Sequence, residues 1–274
     1  MASNQHEESI SGDLGKVLFL ILAVTSVAIF PKLISAQDAA VPPSAEAPAA
    51  ATLPKLTLEQ RADIFMARKE YADAADYYNR ALKTNNTRHS ELWNKMGIAY
   101  QQQEKFDLAR KAYKAAIKED KTMAEAWNNL GTTYFLQGRA KKSLKYYRHA
   151  VKLNPEGASF HMNYGTGLFR RKKYEKAVEE YRVALSINPN ILREHSAAGT
   201  VVDARAGGQK LHYLLAKSFA SLGMADEAVR YLRRAFEEGF HDQERLAKDP
   251  DFQKISADPA YVELLNNPPV PIKQ

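Results

Sequence analysis

Residues 124–155 read Ala124-Glu-Ala-Trp-Asn-Asn-Leu-Gly-Thr-Thr-Tyr-Phe-Leu-Gln-Gly-Arg139, then Ala140-Lys-Lys-Ser-Leu-Lys-Tyr-Tyr-Arg-His-Ala-Val-Lys-Leu-Asn-Pro155. With Ala124 as position 1, Trp127, Leu130, Gly131 and Tyr134 fall at positions 4, 7, 8 and 11, one face of a helix. Ser143, Tyr147 and Ala150 fall at 20, 24 and 27, one face of a second helix. Pro155 stops that helix, because proline has no N–H to donate and its ring clashes with the preceding turn. The two helices are predicted to pack as a hairpin. Gly131 offers bare backbone where the second helix approaches, and the small residues at 20 and 27 do the same from the other side. Trp127, Tyr134 and Tyr147 fill the space between.

The pattern recurs at a spacing of 34 residues on both sides. From Ser90 it reads Trp93, Met96, Gly97 and Tyr100, then Ala109, Tyr113 and Ala116; from Ala158 it reads His161, Tyr164, Gly165 and Leu168, then Ala177, Tyr181, Ala184 and Pro189. Two weaker copies flank these. Lys55 starts one with Ala62, Phe65, Ala74, Tyr78 and Ala81, and Gln209 starts another with Leu215, Ala216, Phe219, Ala228, Leu232 and Ala235. Degenerate ends are expected of a stack whose terminal units show one face to water.

Trp, then Leu-Gly, then Tyr, with later Ala, aromatic and Pro in a 34-residue period, resembles the tetratricopeptide repeat (TPR) family. The resemblance implies an all-α fold, a right-handed α-solenoid of about five TPR helix-turn-helix repeats with a C-terminal helical cap. The expected layout is repeats at 55–89, 90–123, 124–157 and 158–191, a loop at 192–208, a degenerate fifth repeat at 209–242, and a cap and tail at 243–274. In that tail Asp249-Pro250-Asp-Phe252 and Asp258-Pro259-Ala-Tyr261 each place a capping carboxylate and a first-turn proline ahead of one aromatic. Leu264 and Leu265 are expected to pack down with them.

Ahead of the repeats lie two different stretches. Val17 to Phe30 is 14 residues without a charge, the length of a signal-peptide core and short for a full span. Residues 1–36 therefore read either as a signal peptide ending near Ala36 or as an uncleaved N-terminal membrane anchor. The acidic start and the bulk of Ile34 disfavour cleavage, and Lys32 suits an anchor by reaching the interface. Residues 37–54 are rich in Ala and Pro and offer little to bury, so they read as a spacer. Together they predict a repeat domain that is exported, periplasmic, or anchored to the cytoplasmic membrane and facing away from the cytoplasm.

The composition excludes several classes of function. There is no cysteine, which removes disulfides, thiolate metal sites and Cys nucleophiles. The seven histidines show no metal-ligand spacing, and no convergent nucleophile, base or phosphate loop appears. No cofactor, no metal and no catalytic residue is expected, and the protein reads as a non-enzymatic module. His161 and His212 replace Trp at position 4 and read as packed rings. A net charge of +7 is a mild excess. Its densest run, Arg170 to Lys173, falls in a turn, where a solvated surface is expected and nucleic acid is not.

The resemblance also implies a binding surface. Positions 5, 9 and 12 of each first helix line the concave groove of this family. They are Asn94, Ile98 and Gln101, then Asn128, Thr132 and Phe135, then Met162, Thr166 and Phe169, with Asn129 and Asn163 at position 6 and Arg170 at 13. Asparagines can donate to and accept from a peptide backbone, and the phenylalanines can anchor apolar side chains. The expected partner is a protein or peptide segment, with membrane contact through residues 17–36 if they are retained. The Lys, Asn and Arg set with which some family members clamp a carboxylate is not reproduced. An alternative is an envelope or secretion-complex assembly factor acting through the convex face or the 192–208 loop. A further one is a binder of anionic lipid or nucleic acid through the basic turn.

Overall fold

The computed structural model describes residues 55–84, 89–193 and 204–272. Ten helices pair into five hairpins: α1 (Leu58–Ala67) with α2 (Tyr71–Leu82), α3 (His89–Gln102) with α4 (Phe106–Glu119), α5 (Ala124–Leu136) with α6 (Ala140–Leu153), α7 (Ala158–Arg170) with α8 (Tyr174–Ile187), and α9 (Ala204–Ser221) with α10 (Ala225–Glu237). Each second helix also packs on the first helix of the next hairpin, and α3 touches α5 as α5 touches α7. The described residues contain no strand.

One contact repeats through the central hairpins. The fully buried Tyr113, Tyr147 and Tyr181 at position 24 lie against Gly97, Gly131 and Gly165 at position 8. A Cβ on those glycines would meet the rings at 2.5, 2.8 and 2.6 Å. Glycine is thus needed for a tyrosine ring more than for a close approach of two backbones. In the last hairpin the pair becomes Ala216 and Leu232, a larger residue facing a smaller one, and both are buried.

The turns share a backbone device. Position 15 is left-handed in every hairpin: Lys69, Glu104, Gly138, Lys172 and Gly223 have φ of 63, 57, 73, 57 and 73°. The N–H after it returns to the carbonyl five residues earlier, as Arg139 does to Tyr134 at 2.9 Å and Lys105 to Tyr100 at 2.9 Å. That closes the helix and reverses the chain.

One boundary differs from expectation. The stretch read as a loop over 192–208 is helical from Ala204, with a break at Gly208 (φ 54°, ψ −162°), a conformation open only to glycine. Helix packing in register with the other hairpins resumes after it. Residues 194–203 lie outside the described residues, as do residues 1–54 with the signal or anchor and the spacer. Among the described residues no helix is long and apolar enough to cross a membrane.

The cap forms as α11 (Gln243–Lys248), α12 (Pro250–Gln253) and α13 (Pro259–Asn266). Asp249 accepts from the Asp251 N–H, and Asp258 accepts from Ala260 and Tyr261. Phe252, Tyr261 and Leu264 are buried, with Phe252 against Tyr213 and Tyr261. Asp249 also accepts from the Tyr213 hydroxyl and from Lys217. Burial would raise its carboxyl, but the Lys217 hydrogen bond and the Asp251 N–H outweigh it and hold the carboxyl below its usual range.

Candidate functional site

The stripe read as a groove runs along α3, α5 and α7, and the neighbouring helices bury much of it. Asn129 donates its Nδ2–H to Asn94 Oδ1 at 3.1 Å, and Asn163 donates to Asn128 Oδ1 at 2.9 Å. Position 5 of one hairpin thus bonds position 6 of the next, 35 residues on. Before them the same two positions carry Glu59 and Lys95, an ion pair at 2.9 Å that Asp63 joins at 2.9 Å. After them stand Met162 and Leu214, buried in the same core cluster. The series runs from charged to polar to apolar along the stack.

This corrects the role expected of the asparagines. Asn128 and Asn163 are 1% and 0% exposed, and Asn94 is buried. Such groups cannot reach a partner's backbone without opening an interface between hairpins. Met162, Thr132 and Thr166 are buried too. Thr132 faces the Tyr147 hydroxyl at 3.3 Å, and Thr166 donates to the Met162 carbonyl. Gln101 is half-buried and accepts from Thr133 Oγ1 at 3.0 Å and the Tyr113 hydroxyl at 3.3 Å. Lys95, at position 6, is held by Glu59 and Asp63.

The outer edge of the stripe stays reachable. Phe135, Phe169 and Ile98 are half-buried, and Arg170 is exposed. The Arg170 guanidinium lies over the Phe135 ring, 5.8 Å from its centre, joining consecutive hairpins. Phe169 leans on Tyr174 at 5.7 Å. Asn129, half-buried, is the one asparagine of the set not closed off. Arg170 to Lys173 form an exposed turn.

At position 4 the histidines are packed rings as expected, but the tryptophan is not enclosed. Trp127 is half-buried, donates Nε1–H to the Lys121 carbonyl at 2.9 Å and lies 4.0 Å from His149. His161 in the next hairpin is buried, with Nδ1 at 2.7 Å from Glu180 Oε2 and Nε2 at 2.9 Å from the Pro155 carbonyl. Both neighbours are acceptors, so only the imidazolium satisfies both. Burial pulls the His161 pKa down, but Glu180 and the Pro155 carbonyl outweigh it and raise it. His212 keeps only the carboxylate half of the arrangement, with Nδ1 2.6 Å from Glu238 Oε2 and, among the described residues, no hydrogen-bond partner at Nε2. Among the described residues no three His, Asp or Glu side chains converge as a metal site.

The 5-to-6 pairing was not read from the sequence. Its signal was there: asparagines at 94 and 129, and at 128 and 163, repeat at 35 rather than 34 residues.

Residues 94–151 and 137–190 match one tetratricopeptide repeat family model, and residues 209–238 match a second. Residues 94–190 and 209–238 are tetratricopeptide repeats. No curated protein sequence matches it. Among solved structures this TPR chain is similar to MamA, at 23% identity and a TM-score of 0.46, over 69% of this chain and 97% of MamA. It is similar to YrrB, described as a TPR protein with an unusual peptide-binding site, at 17% identity and a TM-score of 0.44, over 69% of this chain and 89% of that one. The first TPR of Spaghetti (RPAP3), solved with the HSP90 peptide SRMEEVD, is similar at 23% identity and a TM-score of 0.37, over 38% of this chain and 83% of that one.

Proposed function

We propose that the protein is a non-enzymatic interaction module that binds a partner protein segment along the outer edge of the first-helix stripe. The observation that carries this is the Arg170 guanidinium over the Phe135 ring, with Phe169 one position away. A cation and two half-exposed rings thereby line one edge across two TPR hairpins. Exposed rings in such a row mark contact surfaces. The stack supports the reading from behind, because the asparagine pairs hold the hairpins in register before a partner arrives.

The bound segment is apolar or aromatic where it meets Phe135 and Phe169, and acidic where it meets Arg170. The test uses the full chain as bait in an envelope extract, beside a bait carrying Phe135→Ala, Phe169→Ala and Arg170→Ala. A partner retained by the first bait and lost from the second supports the edge as the site. Equal retention by both would remove it.

The place of action is part of the same proposal. The uncharged Val17–Phe30 run and the Ala- and Pro-rich spacer suit a TPR domain exported or tethered outside the cytoplasmic membrane. A reporter joined after Gln274 that is active only in the cytosol would contradict it.

A further inference from the structure

The second helix of the third hairpin differs from its counterparts. α6 carries Lys141, Lys142, Lys145, Arg148 and Lys152 and no acidic residue, whereas α8 carries Glu175, Glu179 and Glu180. Lys141, Lys145, Arg148 and Lys152 follow at steps of four, three and four, so they form one stripe about 16 Å long at the rise of an α-helix. All four are exposed. None of them joins an ion pair among the described residues, although Arg110, Lys95, Arg182 and Lys217 all do. Beside the stripe is a cleft of about 460 Å³, lined by Trp127, Lys145, Arg148, His149 and Lys152. Its lining holds no carboxylate.

We propose that this stripe and cleft bind an acidic segment of a partner protein, with its carboxylates on the Lys141–Lys152 row and one apolar side chain in the cleft beside Trp127. The stripe lies on α6, and the cleft adds Trp127 near the start of α5, about two turns from Phe135 at its end, so the surface uses none of the residues of the Phe135–Arg170 edge. Two features select this occupant over other polyanions. A bilayer presents phosphates in a plane and would leave the cleft unfilled. A single nucleic-acid strand gains chiefly from open aromatic faces. Trp127 already has His149 at 4.0 Å and Tyr146 at 6.1 Å against its ring, and its Nε1–H is given to Lys121. What remains is an apolar wall among uncompensated cations, which fits mixed acidic and aliphatic side chains.

The test uses the full chain and a fluorescent synthetic peptide of alternating Glu and Ser with one central Leu. Phosphatidylglycerol vesicles and single-stranded oligothymidine serve as the competing probes. Lys145→Glu with Arg148→Glu should weaken peptide binding about tenfold or more, since two attractions become repulsions. Lys145→Gln with Arg148→Gln, which removes charge without reversing it, should give an intermediate loss and guards against misfolding of the first variant. Lys176→Glu with Arg233→Glu changes the net charge equally on exposed sites elsewhere and should stay within about twofold of the parent. Replacing the central Leu of the peptide by Ser should also weaken binding. The proposal is overturned if the peptide does not bind the parent, if it binds the stripe variants equally well, or if vesicles or oligothymidine bind through Lys145 and Arg148 and the peptide does not.

Discussion

Asn163 donates its Nδ2–H to the Oδ1 of Asn128 from 2.9 Å away, and neither side chain is reachable by solvent. The bond joins consecutive hairpins at the place where the preceding interface has Asn129 on Asn94 and where the last has the buried Met162 and Leu214. Removing one member leaves a buried acceptor unpaired. Asn163→Ala should therefore destabilise the protein by about 2 kcal/mol, the cost of an orphaned buried polar group plus a small cavity. Replacing both asparagines by Leu imitates the last interface and should bring stability back to within about 1 kcal/mol of the parent. Urea unfolding of the single and double variants measures this. A double variant as unstable as the sum of the singles would show that the pair is not the unit.

The left-handed turn residue at position 15 gives a prediction of the opposite sign. Lys172 holds φ at 57°, where a side chain clashes with its own backbone and glycine does not. Lys172→Gly should stabilise by about 0.5–1 kcal/mol, the relief of strain less the added freedom of the unfolded chain. The same change at Gln137, which caps α5 at φ −81°, should not stabilise. Thermal melts of the two variants separate strain from a general effect of glycine.

Trp127 and Tyr147 test which aromatic holds a hairpin. Tyr147 is fully buried on Gly131, while Trp127 is only half-buried. Tyr147→Ala should cost about 3–5 kcal/mol, as for other buried aromatics. Trp127→Ala should cost only about 1–2 kcal/mol, because part of its area is never removed from water. An equal cost for the two would mean that position 4 is as enclosed as position 24.

These contrasts explain what the sequence could and could not reveal. Gly131, Tyr147 and Ala150 announce the hairpin because their partners lie within the same repeat, so one period contains the whole contact. The Asp-Pro pairs of the cap were legible for the same local reason. Asn128 looks like surface on an isolated hairpin, and only the next hairpin buries it. Trp127 looks like core by its size and position, yet it ends up only half-buried. Residue types report local packing well and packing between repeats poorly, and the candidate site lies between repeats.

His161 makes stability depend on pH. Its pKa is raised in the folded protein because Glu180 and the Pro155 carbonyl both accept from the imidazolium. The stabilisation is fully present below the unfolded value of about 6.5 and is lost as pH rises through the higher folded value. The melting difference between the parent and His161→Phe should then shrink from acid to mildly alkaline pH. A difference that stayed constant would mean that the ring is held neutral and gives up one of its two bonds.

The cap gives the last prediction. Phe252 is 0% exposed and bridges Tyr213 of α9 to Tyr261 of α13, while Asp249 ties Lys217 and Tyr213 to the start of α12. These groups occupy the face of α9 that a sixth hairpin would cover. Phe252→Ala should cost about 3–4 kcal/mol, and a chain ending at Gly239 should expose Tyr213, Leu232 and Phe236 and self-associate. Light scattering of the truncated chain against the parent decides the second point. Asp249→Asn should leave Phe252 packed but remove the charge facing Lys217. Because the Asp249 carboxyl is held below its usual range, its contribution is present above the unfolded value near 3.9 and fades as pH falls through the lower folded one. The parent should therefore lose its advantage over Asp249→Asn in strong acid, and an advantage that persisted there would mean that packing rather than the ion pair secures the cap.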